Sequence, residues 1–338
     1  VPLRFGFIGC GTVAPFHAAA LAEAEEAILV AVTSRTARQT EAFARERGIE
    51  WHARVEELLE RPDIDVVSVC TPSGSHADVA IAAMRAGKHV VVEKPLAATL
   101  EQADAMIEVS RQTGRALAVI SQLRFAPQVR EVHAAVAGGR LGRLLLADLS
   151  MKYYRPQQYY DSAGWRGTWA MDGGGALMNQ GIHGIDLLVW LAGAPRTIFG
   201  FARTLARRIE VEDTAVAVAE LEGGCLATIT GTTSVTPGFP RRLSLHGERG
   251  TMVLEETRVV RWEIEGEPER PVTAAGAQGT ARVPTAVGQE EFTAQYRAIV
   301  ANLMESQAPP VSAAEARVAL ATVLAIYESS RTGRPVTV

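Results

Sequence analysis

Short apolar runs alternate with amphipathic stretches through the first third of the chain. Strand-like runs fall at Leu3 to Ile8, Ala27 to Thr33, Val66 to Cys70, His89 to Val92 and Ala116 to Ile120. Between them Ala37 to Arg47, Asp78 to Ala86 and Leu100 to Thr113 carry apolar residues at three- and four-residue spacing, the period of a helix with one buried face. Strand and helix in regular alternation predict a parallel sheet with helices on both faces. After Phe125 the pattern changes. One helix (Val129 to Ala137) and one strand (Leu144 to Tyr154) lead into an aromatic, glycine-rich segment and a helix over Gly174 to Leu191. Successive β-type runs follow at Arg196 to Leu205, Thr214 to Leu221, Leu226 to Thr233, Arg242 to His246, Thr251 to Leu254 and Val259 to Ile264. Strands that follow strands predict a large, mainly antiparallel open sheet. Gly266 to Gly288 has the composition of a loop, and helical patterns at Glu290 to Met304 and Ala313 to Ser330 close the chain. The expected division is 1–122 for the parallel domain and 123–338 for an α+β domain, the last helices packing back toward the first.

Composition narrows the field of functions. A chain of 338 residues, 47% apolar and 21% charged, is long enough for two ordinary globular domains. Its net charge of -4 is spread along the sequence, without the basic stripe that a nucleic-acid backbone requires or a polybasic membrane anchor. No apolar run approaches the roughly 20 residues that span a bilayer. A cytoplasmic protein is expected, with no nucleic-acid or membrane partner. Cys10, Cys70 and Cys225 are odd in number and widely spaced, as small apolar fillers would be; neither a disulfide framework nor a metal site is expected. Among 34 basic residues only Lys88, Lys94 and Lys152 are lysines, so each lysine stands out.

Gly9-Cys10-Gly11-Thr12-Val13-Ala14 is a G-x-G-x-x-A turn placed directly between the first strand and a helix. The glycines let the backbone approach a pyrophosphate, and the helix N-terminus turns N–H donors and the positive end of its dipole toward it. At the head of a strand–helix–strand run this marks a Rossmann domain binding NAD or NADP, with Gly9, Gly11, Thr12 and Val13 as contacts. The second strand ends Thr33-Ser34-Arg35-Thr36, without the acidic residue that binds a free ribose. Arg35 can pair with a 2′-phosphate and Ser34 can donate a hydroxyl hydrogen bond, which leans toward NADP; a solvated Arg35 at a helix start is the alternative.

Two further segments lie at the C-terminal ends of predicted strands, where open α/β sheets bind ligands: Thr71-Pro72-Ser73-Gly74-Ser75-His76 and Glu93-Lys94-Pro95. Pro95 biases Lys94 toward extended geometry, and a lysine can lower its pKa where an arginine cannot. Asn179, His183 and Asp186 follow Gly173-Gly174-Gly175 at helical spacing and would share a face, with His183 a natural proton acceptor for a hydroxyl that loses a hydride. A buried histidine satisfied by Asp186 is an equal reading. The stretch Tyr153 to Trp169 mixes aromatic rings with Arg155, Arg166 and Gln residues, a surface suited to a sugar or phosphorylated sugar and equally to a dimer interface.

Taken in order, the phosphate loop, T-P-x-x-x-H, E-K-P and G-G-x-x-x-N-Q-x-x-H-x-x-D resemble the Gfo/Idh/MocA oxidoreductase family over essentially the whole chain. Tyr159 to Trp169 followed by Gly173 to His183 is similar to the branch that oxidises C3 of UDP-N-acetylglucosaminuronic acid. The resemblance implies an NAD(P)-dependent dehydrogenase or reductase, passing a hydride between nicotinamide and a secondary carbinol of a sugar or sugar nucleotide. Lys94 and His183 would be its catalytic groups. It implies that Thr71, Pro72, His76, Glu93, Lys94, Gln122, Trp165 and Arg166 line the cofactor. Lys94, Arg124, Tyr154, Tyr160, Arg166, Asn179 and His183 would meet the substrate, and an exposed sheet face would form homodimers or homotetramers. An aldose, inositol or diol dehydrogenase, a cofactor-recycling glycosidase and a non-catalytic dinucleotide sensor are the competing readings.

Overall fold

The computed structural model describes residues 1–268, 272 and 288–338. Most of the expected loop from Gly266 to Gly288 lies outside these residues. The chain divides into two units, Val1–Gln122 with Gly288–Arg317 and Leu123–Val287 with Val318–Val338.

The first unit is built on six parallel strands: β1 (Leu3–Ile8), β2 (Ala27–Thr33), β3 (Glu50–His52), β4 (Val66–Val69), β5 (His89–Val92) and β6 (Leu117–Val119). Their order is β3-β2-β1-β4-β5-β6, the doubly wound Rossmann arrangement, whose order reverses beside β1. Burial explains the continuous apolar runs. All four residues of β4 and Val90 to Val92 of β5 are buried, as central strands covered on both faces must be. Helices Ala37–Arg47 and Leu100–Thr113 stop at Gly48 and Gly114 in left-handed conformation, and Thr99 caps the start of the latter by accepting from the Gln102 amide. Helix Gln289–Met304 returns to pack on helix Ala14–Ala22 of this unit. The short β3 lacks the apolar run by which its neighbours are recognised.

The second unit carries an eight-stranded sheet. Its strands are β7 (Leu144–Lys152), β8 (Pro195–Arg203), β9 (Thr214–Leu221), β10 (Leu226–Thr232), β11 (Arg242–Gly247), β12 (Gly250–Glu255), β13 (Arg258–Ile264) and β14 (Val336–Thr337). They run in the order β13-β12-β11-β7-β10-β9-β8-β14; only β7 and β10 pair in parallel. β9 alternates buried and exposed residues with period two, one face on the core and one open. Helices Pro127–Ala137 and Ile182–Ala192 pack against each other in this unit, and the latter also lies against β7.

The segment expected as one helix over Gly174 to Leu191 is interrupted. Ala176–Gly181 wind as a π-helical turn, and a regular α-helix starts only at Ile182. Spacing rules built on 3.6 residues per turn therefore do not carry Asn179 onto the face of His183. Among the described residues no helix is long and apolar enough to cross a membrane.

Candidate active-site residues in the two units

In the first unit the glycine turn has the shape that a dinucleotide needs. Gly9 sits at φ +101°, and a Cβ there would lie 2.5 Å from the Cys70 carbonyl at the end of β4. Only glycine permits both the conformation and the approach. Gly11 faces open space and, with Thr12, is exposed just before helix Ala14–Ala22, whose first-turn amides are already bonded within the protein, Ala14 to the Gly11 carbonyl and Phe16 and His17 to that of Val13. Two buried polar atoms of this unit, Thr33 Oγ1 at the end of β2 and Gln122 Oε1, have no hydrogen-bond partner among the described residues. A polar ligand along these strand ends would satisfy them, so the residues present fit a dinucleotide.

Ser34 is placed differently from its expected role. Thr40 donates its hydroxyl to the Thr36 carbonyl, so the 2.6 Å bond between Ser34 and Thr40 uses the only proton Ser34 has. Ser34 Oγ then accepts from the Cys10 thiol and the Thr36 amide. Arg35, beside it, is exposed.

His76 is 1% exposed with both ring nitrogens on backbone carbonyls, Nδ1 on Pro95 and Nε2 on Thr71. Burial pushes its pKa below the ordinary histidine value despite these carbonyls. Neutral, it donates to one of these carbonyls and packs its ring against the other. Ser75 donates to the Pro72 carbonyl and bonds Thr71 Oγ1, closing the turn that holds Thr71 and Pro72. Lys94 is half-buried after β5, and its amide donates to Glu93 Oε2 at 3.0 Å. The other oxygen of Glu93 accepts from His17 Nε2 at 2.7 Å. No motif in the sequence singled out His17.

In the second unit, His183 lies on helix Ile182–Ala192. Asp186, one turn later, is bonded through both oxygens to the buried Arg124, at 2.9 Å to Nε and 2.7 Å to Nη2. Arg124 also lies 5.3 Å over the Trp190 ring, which stacks on His133 at 3.9 Å. This cluster fixes helix Ile182–Ala192, and much of the donor capacity expected of Arg124 toward a substrate is spent on it. Asn179 donates to Asp172, and its own oxygen accepts from Gln180 Nε2 at 2.9 Å. Asp172 also accepts the Gly167 amide.

Gln180 is the hub of this half. Its oxygen accepts from Arg155 Nε and Nη2, at 3.1 and 2.7 Å, and its nitrogen donates to the Tyr159 hydroxyl at 2.9 Å. Arg166 Nη1 donates to the same hydroxyl at 2.7 Å, while its guanidinium lies over the rings of Tyr159 and Trp165. With two donors on its oxygen, Tyr159 keeps its own proton for an acceptor. Burial raises its pKa, so the phenol stays neutral. Tyr160 faces the other way and bonds Thr233 at 2.7 Å, a core contact; Tyr154 bridges to Ser234 and carries Arg207 over its ring. The short helix Gln157–Asp161 separates the adjacent tyrosines by about 100°. The sequence reading names Tyr160 and not Tyr159 as a substrate contact, and two adjacent tyrosines carry no local signal of which way each faces.

Glu212 holds the irregular turn in place. Its carboxylate accepts the amides of Gly175 and Leu177 and the Tyr327 hydroxyl, each at 2.8 Å, and its backbone carbonyl accepts the Ala176 amide. Three consecutive N–H groups at the head of the π turn are thus satisfied by one residue. Burial pushes the Glu212 carboxyl up to about 7. A Cβ at Gly175 would run into the Glu212 carbonyl, which is why the glycine run stands here. Among the described residues no group of three or more His, Cys, Asp or Glu side chains is arranged to hold a metal ion.

Comparison with known proteins agrees with this architecture. Residues 3–121 match the oxidoreductase family model with an NAD-binding Rossmann fold, and residues 129–253 match the GFO/IDH/MocA C-terminal domain. The chain is 30% identical to a 1,5-anhydro-D-fructose reductase of Ensifer adhaerens over 98% of its length and 97% of that protein. It is 28% identical to an inositol 2-dehydrogenase of Rhizobium meliloti, covering 90% of this chain and 87% of the relative. Its fold superposes with a TM-score of 0.90 on the WlbA dehydrogenase from Bordetella pertussis in complex with NADH and UDP-GlcNAcA, at 31% identity over 100% of this chain and 99% of that one. With both family models matched in order and a relative aligned nearly end to end, the chain belongs to the GFO/IDH/MocA family of oxidoreductases.

Proposed function

We propose that this oxidoreductase moves a hydride between a nicotinamide dinucleotide and a secondary carbinol of a sugar or sugar derivative, with a UDP-sugar as the first substrate class to test. The observation that carries the dinucleotide is Gly9, a residue in left-handed conformation whose missing side chain brings the turn against the end of β4. The bound nicotinamide supplies the hydride acceptor or donor. Lys94 would bind or protonate the carbinol oxygen and His183 would take part in the proton relay, since a hydroxyl losing a hydride must also lose its proton. Asp172, Asn179 and Gln180 keep the turn before His183 in place, so the asparagine acts by hydrogen bonding alone. Tyr159, with its proton uncommitted, is a candidate donor to a sugar oxygen.

A UDP-sugar is favoured by the similarity to WlbA, crystallised with UDP-GlcNAcA, and by the arginines Arg166 and Arg207 near aromatic rings. For the dinucleotide, the exposed Arg35 and the absence of an acid from Thr33 to Thr36 favour NADP. Assembly as a homodimer or homotetramer would cover the open face of the large sheet, where Phe201, Val216, Val218 and Leu226 expose apolar side chains.

The test is absorbance in the reduced-nicotinamide band, with each dinucleotide, across free sugars, inositols and UDP-sugars. A signal confined to UDP-sugars supports the reading. A signal indifferent to the UDP group moves the substrate to free aldoses or inositols, and sugar cleavage without net reduction moves the reaction to a cofactor-recycling glycosidase.

A further inference from the structure

The core of the first unit contains a chain of polar groups buried away from any turn or surface. His17 lies on helix Ala14–Ala22, just past the glycine turn, and is fully buried. Its Nδ1 meets the Tyr296 hydroxyl at 2.7 Å, and that hydroxyl meets Ser68 Oγ of β4 at 3.0 Å. Its Nε2 meets Glu93 Oε1 at 2.7 Å, and Glu93 Oε2 takes the Lys94 amide. The ring edges are packed by Phe7, Phe292 and Tyr296. Such a core normally excludes a polar chain, because each member must be satisfied or it destabilises the fold. Its course leads from the helix of the phosphate turn to the backbone of Lys94.

We propose that His17 is a positioning residue for Lys94: it pairs with Glu93, so that the carboxylate holding the Lys94 backbone is fixed in place. The inference rests on the assignment of Lys94 to the reaction made above. The 2.7 Å contact with a carboxylate makes Nε2 the donor to Glu93, and Nδ1 shares a hydrogen bond with Tyr296, which also meets Ser68. Burial alone would lower the histidine pKa, but Cys70, Tyr296 and Glu93 outweigh it and hold the pKa well above the ordinary value. The other titratable groups facing the pair are Cys70 at the end of β4, Tyr296 on helix Gln289–Met304 and the low-pKa His76.

The consequence is electrostatic as well as steric. Without the His17 hydrogen bond, the negative charge of Glu93 acts more strongly on Lys94, which stabilises the ammonium and raises the lysine pKa. The test compares the pH dependence of kcat, and dinucleotide affinity, in H17Q, Y296F, the double variant H17Q/E93Q and K94A. In H17Q the dinucleotide Kd stays within about threefold, while kcat at neutral pH falls by roughly tenfold and the limb of the pH profile that K94A abolishes moves up by roughly one unit. The double variant brings that limb back toward wild type, since the Glu93 charge is gone. Y296F shifts it in the same direction as H17Q but less. A lost core contact alone would lower the melting temperature and leave the limb where it was.

Normal turnover in K94A would show that the Lys94 assignment itself is wrong. An inactive K94A beside an H17Q protein with wild-type limb and turnover would overturn the positioning role while leaving Lys94 in place. If H17Q does not fold, Y296F decides, because it removes one hydroxyl and keeps the ring; an unmoved limb in Y296F then overturns the proposal.

Discussion

The two units arrange their polar residues in opposite ways. In the first, the groups assigned to the dinucleotide stand at the ends of regular strands, and backbone approach sets the Gly9 turn against the end of β4. In the second, the irregular π turn that precedes His183 is held by side-chain bonds to Glu212, Asp172 and Arg155. A regular frame sets the course of the chain by its strands and leaves a close backbone approach such as that at Gly9 as its least tolerant point. A frame built on side-chain bonds to an irregular turn depends on each bond.

The comparison is broken most directly by giving each unit one methyl group. Gly175→Ala drives a Cβ into the Glu212 carbonyl, and overpacking of this kind costs about 1 to 3 kcal/mol or more. Loss of melting temperature together with loss of turnover is expected. Gly9→Ala meets the Cys70 carbonyl at 2.5 Å in a left-handed conformation. The expected damage there is to dinucleotide affinity, by roughly tenfold or more from backbone strain of a few kcal/mol. Calorimetry and dinucleotide titration on both variants separate the two; an unchanged Gly175→Ala protein would remove the central role given to the π turn.

A smaller effect comes from Glu212, whose carboxyl is pushed up to about 7 by burial. A carboxyl with a raised folded-state pKa takes up a proton on folding between its ordinary value and about 7. The stability that this confers is present at low pH and is lost as pH rises through about 7, changing little above it. Glu212→Gln is neutral throughout and gives up one acceptor oxygen. It should be less stable than wild type near pH 5, with the difference narrowing by about 1 to 3 kcal/mol as pH rises to about 8. Denaturant midpoints across that range measure it, and a pH-independent difference would show that Glu212 does not titrate there.

The smallest effect sharpens the cofactor assignment. Arg35→Ala should reduce the preference for NADP over NAD by roughly tenfold, the worth of a charge-assisted bond to a phosphate. Ser34→Ala should leave that ratio nearly unchanged, because the Ser34 proton is already given to Thr40. Equal effects of both changes on the ratio of dissociation constants would mean that Ser34 breaks its internal bonds to bind.

The legibility of the chain follows the same division. The order of strands and helices in the first unit can be read from apolar runs, because central parallel strands are buried on both faces and leave continuous apolar sequence, as Val66–Val69 does. The period-two alternation of Thr214–Leu221 makes the second sheet equally readable. Glu50–His52 escapes because an edge strand of three residues, mostly exposed, has no such signature. The break at Ala176–Gly181 escapes because an extra residue per turn changes the hydrogen-bond ladder and not the hydrophobic pattern. The motifs at Gly9, Lys94 and His183 are visible because they are contiguous. His17 and Tyr296, 279 residues apart, have no local pattern that announces their bond. Glu212 lies 37 residues from the Gly175 amide it caps, and Tyr159 differs from Tyr160 only by the direction each faces.

The most direct measurement is steady-state turnover and dinucleotide affinity in Lys94→Ala and His183→Ala, on the substrate that gives the strongest reduced-nicotinamide signal. The account predicts that each variant binds the dinucleotide nearly as wild type does and loses roughly a hundredfold or more in kcat, as removal of an acid or base from the reacting oxygen should. Wild-type turnover in both variants would contradict it.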